Sequence, residues 1–213
     1  GEAHSLAVTA CGCIYSWGLF RGGRLGLQKS RLEACFPGTP VDQVLVPMHL
    51  PGRRANIVCA GESHSFAADQ SGALYAWGRN REGQLGVGDE RARWRPARVN
   101  ALSRVVVRSI SAGSIHSVAV SANCEVFTWG IDGGGRLGHG DGLAQPLPKR
   151  IESFVGVTVV EVAAAREHSL FRLQDGRLMV CGKIPNELRL GHPSAELPEN
   201  ALVPQQVQVR GTS

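Results

Sequence analysis

Several features that define other classes of protein are missing from this sequence of 213 residues. The longest apolar stretch, residues 154–165, is interrupted by Glu161, so no uncharged run approaches the roughly 18 residues that span a bilayer. Charged residues make up only 19%, too few for a disordered chain, while 43% apolar residues suffice for a hydrophobic core. A transmembrane helix and a disordered chain are therefore excluded.

Lysine is scarce, because Lys29, Lys149 and Lys183 are the only three and arginine supplies 20 of the 23 basic residues. The net charge of +5 would suit an acidic partner surface, but the arginines form no block, and this favours a coding bias. The cysteines are scattered in a chain too long to need disulfides, which predicts reduced thiols in an intracellular protein, nuclear or cytoplasmic. They are Cys11, Cys13, Cys35, Cys59, Cys124 and Cys181. The chain begins at Gly1, so the lack of a targeting peptide does not indicate a compartment.

Glycine, in contrast, is abundant at 27 residues, and much of it recurs in a fourfold repeat. A His-Ser pair opens each copy, Trp-Gly follows 13 residues after the histidine, and Leu-Gly follows eight residues after the tryptophan. The fourth copy departs, with Cys181 in place of tryptophan and Leu190-Gly191 one residue late. The landmarks are His4, His64, His116 and His168; Trp17, Trp77 and Trp129; Gly18, Gly78, Gly130 and Gly182; Gly61 and Gly113; and Gly26, Gly86, Gly138 and Gly191.

The segments between these landmarks alternate like strands. The runs on either side of Ser71-Gly72 predict a β-hairpin, with equivalent two-residue turns at Cys11-Gly12, Asn123-Cys124 and Asp175-Gly176. An inner strand is predicted before each histidine and, further upstream, an edge segment led by proline at Pro40, Pro96, Pro148 and Pro204. Helical periodicity is absent, which excludes helical, ankyrin-like and leucine-rich arrays.

About four strands in each repeat of about 52 residues predict an all-β fold, a β-propeller built of four-stranded antiparallel blades. Residues 61–65 and 113–117, with the Trp-Gly and Leu-Gly pairs that follow, resemble the repeats of the regulator of chromosome condensation family over nearly the whole chain. The fourth copy diverges, with Ala165 in place of glycine and residues 185–187 in place of the glycine-rich loop. The resemblance implies a seven-bladed ring, of which about four blades are present.

The predicted repeats cover about 1–38, 39–94, 95–146 and 147–202, and residues 203–213 start the next blade or form a closing strand. An open arc of blades exposes unpaired strand edges at both ends. We therefore expect a fragment of a longer chain, or an arc completed by further chain or by another subunit.

The repeated side chains are predicted to be structural rather than catalytic. One active site needs one base and this chain offers four histidines, which we expect to bond the backbone of a neighbouring strand or blade. The repeated tryptophans are predicted to lie in the core or between blades. Cys11-Gly12-Cys13 lacks the paired C-x-x-C spacing of a zinc site, and residues 133–136 lack the lysine of a phosphate loop. We predict no catalytic residue, no cofactor and no metal.

Positions that differ between copies are the candidates for partner binding. The connector 91–95 combines arginines with Trp94, and both residue types are favoured at interaction hot spots. The loops after Trp-Gly, the long connector 28–38 and a basic turn at Arg53-Arg54 are further candidates. Packing of Trp94 on its own blade and ordinary solvated loop charge are the alternatives. The candidate residues are Arg91, Arg93, Trp94, Arg95, Arg21, Arg24, Arg81 and Arg136.

The resemblance implies three functions. The first is a non-catalytic scaffold for protein–protein interaction, with other proteins as partners. The second is guanine-nucleotide exchange on a Ran-like small GTPase, although no insertion large enough for the family's wedge is visible between the landmarks. The third is association with nucleosomes or nucleic acid, suggested by the net charge of +5. A plant ultraviolet photoreceptor has a similar fold, but the tryptophans here form no cluster in the sequence that would absorb light.

Overall fold

A computed structural model describes residues 1–38, 42–184 and 199–207. These residues form 15 strands, arranged in four antiparallel sheets that follow one another along the chain. The helices in this part of the chain are short, and none is long and apolar enough to cross a bilayer. The predicted all-β architecture is confirmed.

Each sheet is an up-and-down arrangement of neighbouring strands. The first sheet contains β1 (His4–Val8), β2 (Cys13–Leu19) and β3 (Gln43–Arg54). The second contains β4 (Ile57–Ala60), β5 (His64–Ala68), β6 (Leu74–Gly78) and β7 (Arg93–Arg98). The third contains β8 (Val107–Ala112), β9 (His116–Ser121), β10 (Val126–Gly130) and β11 (Gln145–Arg150). The fourth contains β12 (Val159–Ala164), β13 (His168–Leu173), β14 (Leu178–Lys183) and β15 (Asn200–Val207).

The hairpins between the histidine and tryptophan strands lie where the sequence predicts them. Gly12, Gly72 and Gly176 have φ of 85°, 78° and 88°, and Cys124 is the one described non-glycine residue with positive φ, at 63°. The loops are three residues long rather than two, because the Gly12 N–H donates to Thr9 O while the Thr9 N–H donates to Cys13 O. A type I turn followed by one left-handed residue produces this pattern.

The proline-containing strand is the outer strand of each sheet, and it pairs with the tryptophan strand that precedes it. The sheets therefore span residues 4–54, 57–98, 107–150 and 159–207. The predicted repeat limits differ, because they group each proline with the histidine that follows it, whereas each sheet contains the proline that follows its histidine. Strand β15 contains Pro204 and pairs with β14, so it is the outer strand of the fourth sheet. Residues 208–213 lie outside the described part.

The proline of the first sheet is Pro47, not Pro40 as the sequence suggests. Pro96 falls where the register between β6 and β7 shifts, between the pairs Ala76–Ala97 and Gly78–Arg93. Pro47 falls at the equivalent shift, between the pairs Ser16–Met48 and Gly18–Val44. The connector of the first sheet is longer and contains helix α1 (Lys29–Cys35), so the outer strand β3 begins later in the sequence than the repeat spacing predicts. Pro40 itself lies outside the described residues.

The hydrophobic core lies between sheets. Phe66 and Leu74 of the second sheet pack with Val107, Ile110 and Trp129 of the third in one cluster. A second cluster joins the first and second sheets and a third joins the third and fourth. The four sheets form an open arc, so the fold is a partial β-propeller, consistent with part of a seven-bladed ring.

Candidate interaction surface

The repeated histidines join neighbouring sheets. In the first three copies the imidazole Nε2 lies within hydrogen-bond distance of a serine hydroxyl in the next sheet. The pairs are His4 with Ser65 at 2.8 Å, His64 with Ser117 at 3.0 Å and His116 with Ser169 at 2.9 Å. The sequence predicts a backbone partner for these histidines, whereas the observed partner is a serine side chain. Each of these serines directly follows the histidine of the next sheet. One His-Ser pair therefore bonds to the next.

Each serine continues the network to a backbone carbonyl. Ser117 Oγ donates to the Gln84 carbonyl at 2.9 Å, and the same carbonyl accepts from Trp129 Nε1 at 2.8 Å. The serine has only one hydroxyl hydrogen, so it must accept from His64 Nε2–H. Equivalent acceptors for the other sheets are the carbonyls of Arg24 and Arg136.

The geometry keeps these histidines neutral. The pKa of His4, His64 and His116 is lowered to about 3, mainly by burial and to a lesser extent by neighbouring basic groups. His168, at the far end of the arc, is partly exposed and burial lowers its pKa as well. A base with a pKa near 3, buried and locked to a serine, is poorly suited to abstract a proton from a substrate.

The landmark tryptophans and glycines serve the same packing. Trp77 and Trp129 are fully buried, whereas Trp17 is partly exposed on the first sheet. A Cβ on Gly78 would lie 2.6 Å from the Ser63 carbonyl oxygen, so the strand that ends there needs glycine. Equivalent close contacts occur at Gly18, Gly130 and Gly182, and others occur at Gly61, Gly113, Gly26, Gly86 and Gly138. Gly191 lies outside the described residues.

Two candidate arginines form hydrogen bonds within the fold. Arg136 is 6% exposed, and its guanidinium donates to the carbonyls of Gly133 and Arg166. Arg24 is partly buried and donates to the carbonyls of Arg21 and Glu62. These contacts direct both guanidinium groups into the fold, and partner binding by Arg24 and Arg136 stays a prediction. Arg21 and Arg81 are exposed.

The arginine-rich connector is partly anchored. Arg93 forms an ion pair with Asp89 at 2.7 Å and donates to the Arg91 carbonyl. Trp94 packs against Phe20 of the preceding sheet, with ring centroids 5.3 Å apart, yet 45% of the residue remains exposed. Arg91 and Arg95 are exposed.

Arg95 belongs to a groove between the first and second sheets. The groove has a volume of about 350 Å³ and an apolar floor that includes Leu27, Leu50 and Pro96. Arg31, Arg53 and Arg95 lie around it. The sequence singles out the segments containing these arginines separately, and the fold brings them together. Arg53 lies in strand β3 rather than in the predicted turn.

The charge of this groove is uncompensated. Among the described residues, Arg31 and Arg95 have no ion pair, and the Arg53 guanidinium lies 3.8 Å from the Tyr75 ring centroid in a cation–π contact. In each sheet the glycine of the Trp-Gly or Cys-Gly pair faces one residue of the outer strand, and in the second sheet that residue is Arg93. Arg95 lies two residues further on. The same position in the other three sheets holds Val46, Leu147 and Val203. Among these four equivalent positions, arginine therefore occurs only in the second sheet. We name the groove lined by Arg31, Arg53 and Arg95 the arginine groove.

Residues 1–38, 42–184 and 199–207 contain no group of three His, Cys, Asp or Glu side chains placed to hold a metal ion. All six cysteines are free thiols. The repeated polar groups are thus used within the fold, and the exposed basic candidates Arg21, Arg81, Arg91 and Arg95 lie on loops or on the outer strand.

A propeller arc of one three-stranded and three four-stranded blades, joined by His–Ser hydrogen bonds, defines a class of repeat protein, and comparison with known sequences identifies that class. The Regulator of chromosome condensation (RCC1) repeat matches residues 71–120 and 125–172, and a second description of the same repeat matches residues 57–84. The chain belongs to the RCC1 repeat family.

Relatives of this chain are much longer proteins. The human probable E3 ubiquitin-protein ligase HERC3 is 36% identical over 170 residues, 80% of this chain and 16% of HERC3. The Arabidopsis thaliana ultraviolet-B receptor UVR8 is 32% identical over 181 residues, 84% of this chain and 39% of UVR8. The crystal structure of Prp20p from Saccharomyces cerevisiae matches with a TM-score of 0.81 at 25% identity, over 100% of this chain and 50% of Prp20p. This chain spans half or less of each.

Proposed function

We propose that this chain is a scaffold for protein–protein interaction and that its own residues perform no catalysis. The observation that carries the proposal is the arginine groove, where three guanidinium groups surround an apolar floor and have no carboxylate partner among the described residues. The repeated histidines, serines and tryptophans are engaged in hydrogen bonds between sheets, which leaves the surface as the functional part. Similarity to repeat regions in HERC ligases supports an interaction role.

The chemistry of the groove favours an acidic segment with apolar side chains as its ligand. Carboxylates accept paired hydrogen bonds from guanidinium groups, and Leu27, Leu50 and Pro96 offer contacts to an apolar side chain. Other proteins are therefore the partners we propose, in an intracellular location consistent with free thiols.

Binding of a fluorescein-labelled peptide of alternating glutamate and leucine tests this surface. We expect saturable binding that weakens as salt is raised, and a loss of about tenfold or more in Arg95→Glu. Arg172→Glu is the control for net charge, because Arg172 is an exposed arginine of the fourth sheet, its ion pair is with Glu161 outside the groove, and the change in net charge is the same. Fluorescence anisotropy provides the affinities.

Two results would count against the groove. Equal losses in Arg95→Glu and Arg172→Glu would show that only net charge matters. A loss in Trp94→Ala with none in Arg95→Glu would move the surface to the connector face, since Trp94 is not part of the groove lining. No binding by the wild-type chain would remove the acidic ligand from the proposal.

Guanine-nucleotide exchange is the second candidate, favoured by the structural similarity to Prp20p, which has binding properties toward Gsp1p and histones. Release of labelled nucleotide from purified Gsp1p, with and without this chain, tests it. Acceleration above the spontaneous rate would replace the scaffold proposal. Binding to reconstituted nucleosomes that falls steeply with salt would instead support chromatin association.

A further inference from the structure

The hairpin loop between β1 and β2 brings two thiols together. The sulfurs of Cys11 and Cys13 lie 3.5 Å apart, with Gly12 between them in a left-handed conformation. Cys11 is exposed and Cys13 is partly exposed, so both can be reached from solvent. No other two cysteine sulfurs of the described residues are in such contact. The pair arises because a three-residue loop directs both side chains to one side.

The loop stabilises a thiolate on Cys11. Thr9 Oγ1 lies 3.1 Å from the Cys11 sulfur, and Arg54 donates a hydrogen bond to the Cys11 carbonyl at 2.9 Å. The hydrogen bond from Thr9, then those from the Cys13 backbone and thiol, lower the pKa of Cys11 to about 7. Thiolates are the reactive form of cysteine.

The partly buried Cys59 and the buried Cys181 are less readily ionised than Cys11. Burial raises the pKa of Cys59 to about 11, and burial also raises the pKa of Cys181. Cys35 is exposed and lacks a neighbouring sulfur, so it serves as an internal reference for accessibility alone.

We propose that Cys11 and Cys13 form a peroxide-sensitive dithiol that closes to a disulfide within the hairpin loop. The Cys11 thiolate attacks one oxygen of the peroxide, an S–O bond forms, the O–O bond breaks and hydroxide leaves to become water. The Cys11 sulfur is oxidised to a sulfenic acid and the peroxide is reduced. Cys13 sulfur then attacks the sulfenic sulfur, its thiol proton joins the departing hydroxyl, and water leaves as the S–S bond forms.

The required movement is small. A disulfide places the sulfurs about 2.0 Å apart, so rotation of two side chains in an exposed loop must close the remaining gap from 3.5 Å. A ring closed over so few residues is strained, and strained disulfides are more easily reduced, which makes the oxidation reversible.

Treatment of the reduced chain with one equivalent of hydrogen peroxide, followed by peptide mass mapping, tests the proposal. We expect the peptide containing Cys11 and Cys13 to lose two hydrogen atoms and to regain them with dithiothreitol. In Cys13→Ser the reaction should stop at a sulfenic acid on Cys11, which dimedone traps. Cys11→Ser should leave Cys13 reduced at the same dose, and Cys35→Ser should behave as the wild type.

A second measurement separates loop chemistry from accessibility. Alkylation of Cys11 by iodoacetamide should reach half of its maximal rate near pH 7, and Thr9→Val should slow the peroxide reaction several-fold at that pH. Equal oxidation of Cys35 and Cys11, a disulfide between chains, or a stable sulfenic acid in the wild type would each overturn the proposal. Failure of this test leaves the arginine groove unaffected, since the loop does not line it.

Discussion

At the scale of single residues, the His-Ser pair is the connecting unit of this molecule. His64 Nε2, Ser117 Oγ and the Gln84 carbonyl form a chain of hydrogen bonds that crosses from the second sheet to the third. All three groups are buried, so each depends on the others for its hydrogen bonds. The repeated spacing indicates a structural role, but the serine partner is 53 residues away and only the packed sheets reveal it.

Ser117→Ala should therefore destabilise the chain by about 2–3 kcal/mol, because it leaves a buried imidazole N–H without an acceptor. Urea unfolding followed by circular dichroism measures the change. Ser153→Ala is the control, since Ser153 is exposed and its hydroxyl has no hydrogen bond among the described residues. A loss below 0.5 kcal/mol, roughly the range of surface substitutions, would show that the serine is dispensable.

At the scale of elements, the hairpin loops show how local sequence specifies structure. Three of them place glycine at the left-handed position, whereas the third sheet places Cys124 there, with φ of 63°. A side chain in this conformation costs about 1 kcal/mol or more because its Cβ crowds the backbone. The turn positions are predictable from sequence because this requirement is local.

Cys124→Gly should stabilise the chain by about 0.5–1 kcal/mol, since relief of the strained backbone outweighs the greater freedom of glycine in the unfolded state. The same urea titration measures it, with Ala122→Gly as the control in the same loop. Ala122 does not have a positive φ, so glycine there should be neutral or destabilising. A destabilised Cys124→Gly would indicate that the contact of Cys124 with Arg108 matters more than strain.

Strand assignment shows where local reasoning fails. The outer, proline-containing strand of each sheet pairs with the strand before it in the chain. The position of the proline in the sequence is equally compatible with pairing to the sheet that follows. Sequence order alone does not distinguish these two pairings. The sequence favours Pro40 over Pro47 for a related reason, because the first connector is longer than those of the other sheets and its length alone does not show where the outer strand begins.

At the scale of the whole molecule, the three buried imidazoles make stability depend on pH. Their pKa values are near 3 in the folded chain and about 6.5 when unfolded. The unfolded state therefore binds more protons below pH 6.5. Stability is fully present above pH 6.5 and is lost as the pH falls toward 3.

The free energy of unfolding should hence fall between pH 6.5 and 5. The slope has an upper limit of about 1.4 kcal/mol per pH unit for each buried histidine. Urea midpoints across this range measure it, and ionised carboxylates contribute little there because their unfolded pKa values lie near 4. A midpoint that stays constant down to pH 5 would show that the imidazoles are already charged in the folded chain.

The sequence by itself determined the strand periodicity, the fourfold repeat and the glycine-containing turns, because each depends on residues that are close along the chain. Membership of a propeller class followed from the constant spacing of the landmarks. Tertiary structure alone decided three things: which serine each histidine bonds, which strand each proline strand joins, and that Arg31, Arg53 and Arg95 share one groove. These depend on contacts between sheets, where residues distant in sequence meet because apolar faces must be buried against one another.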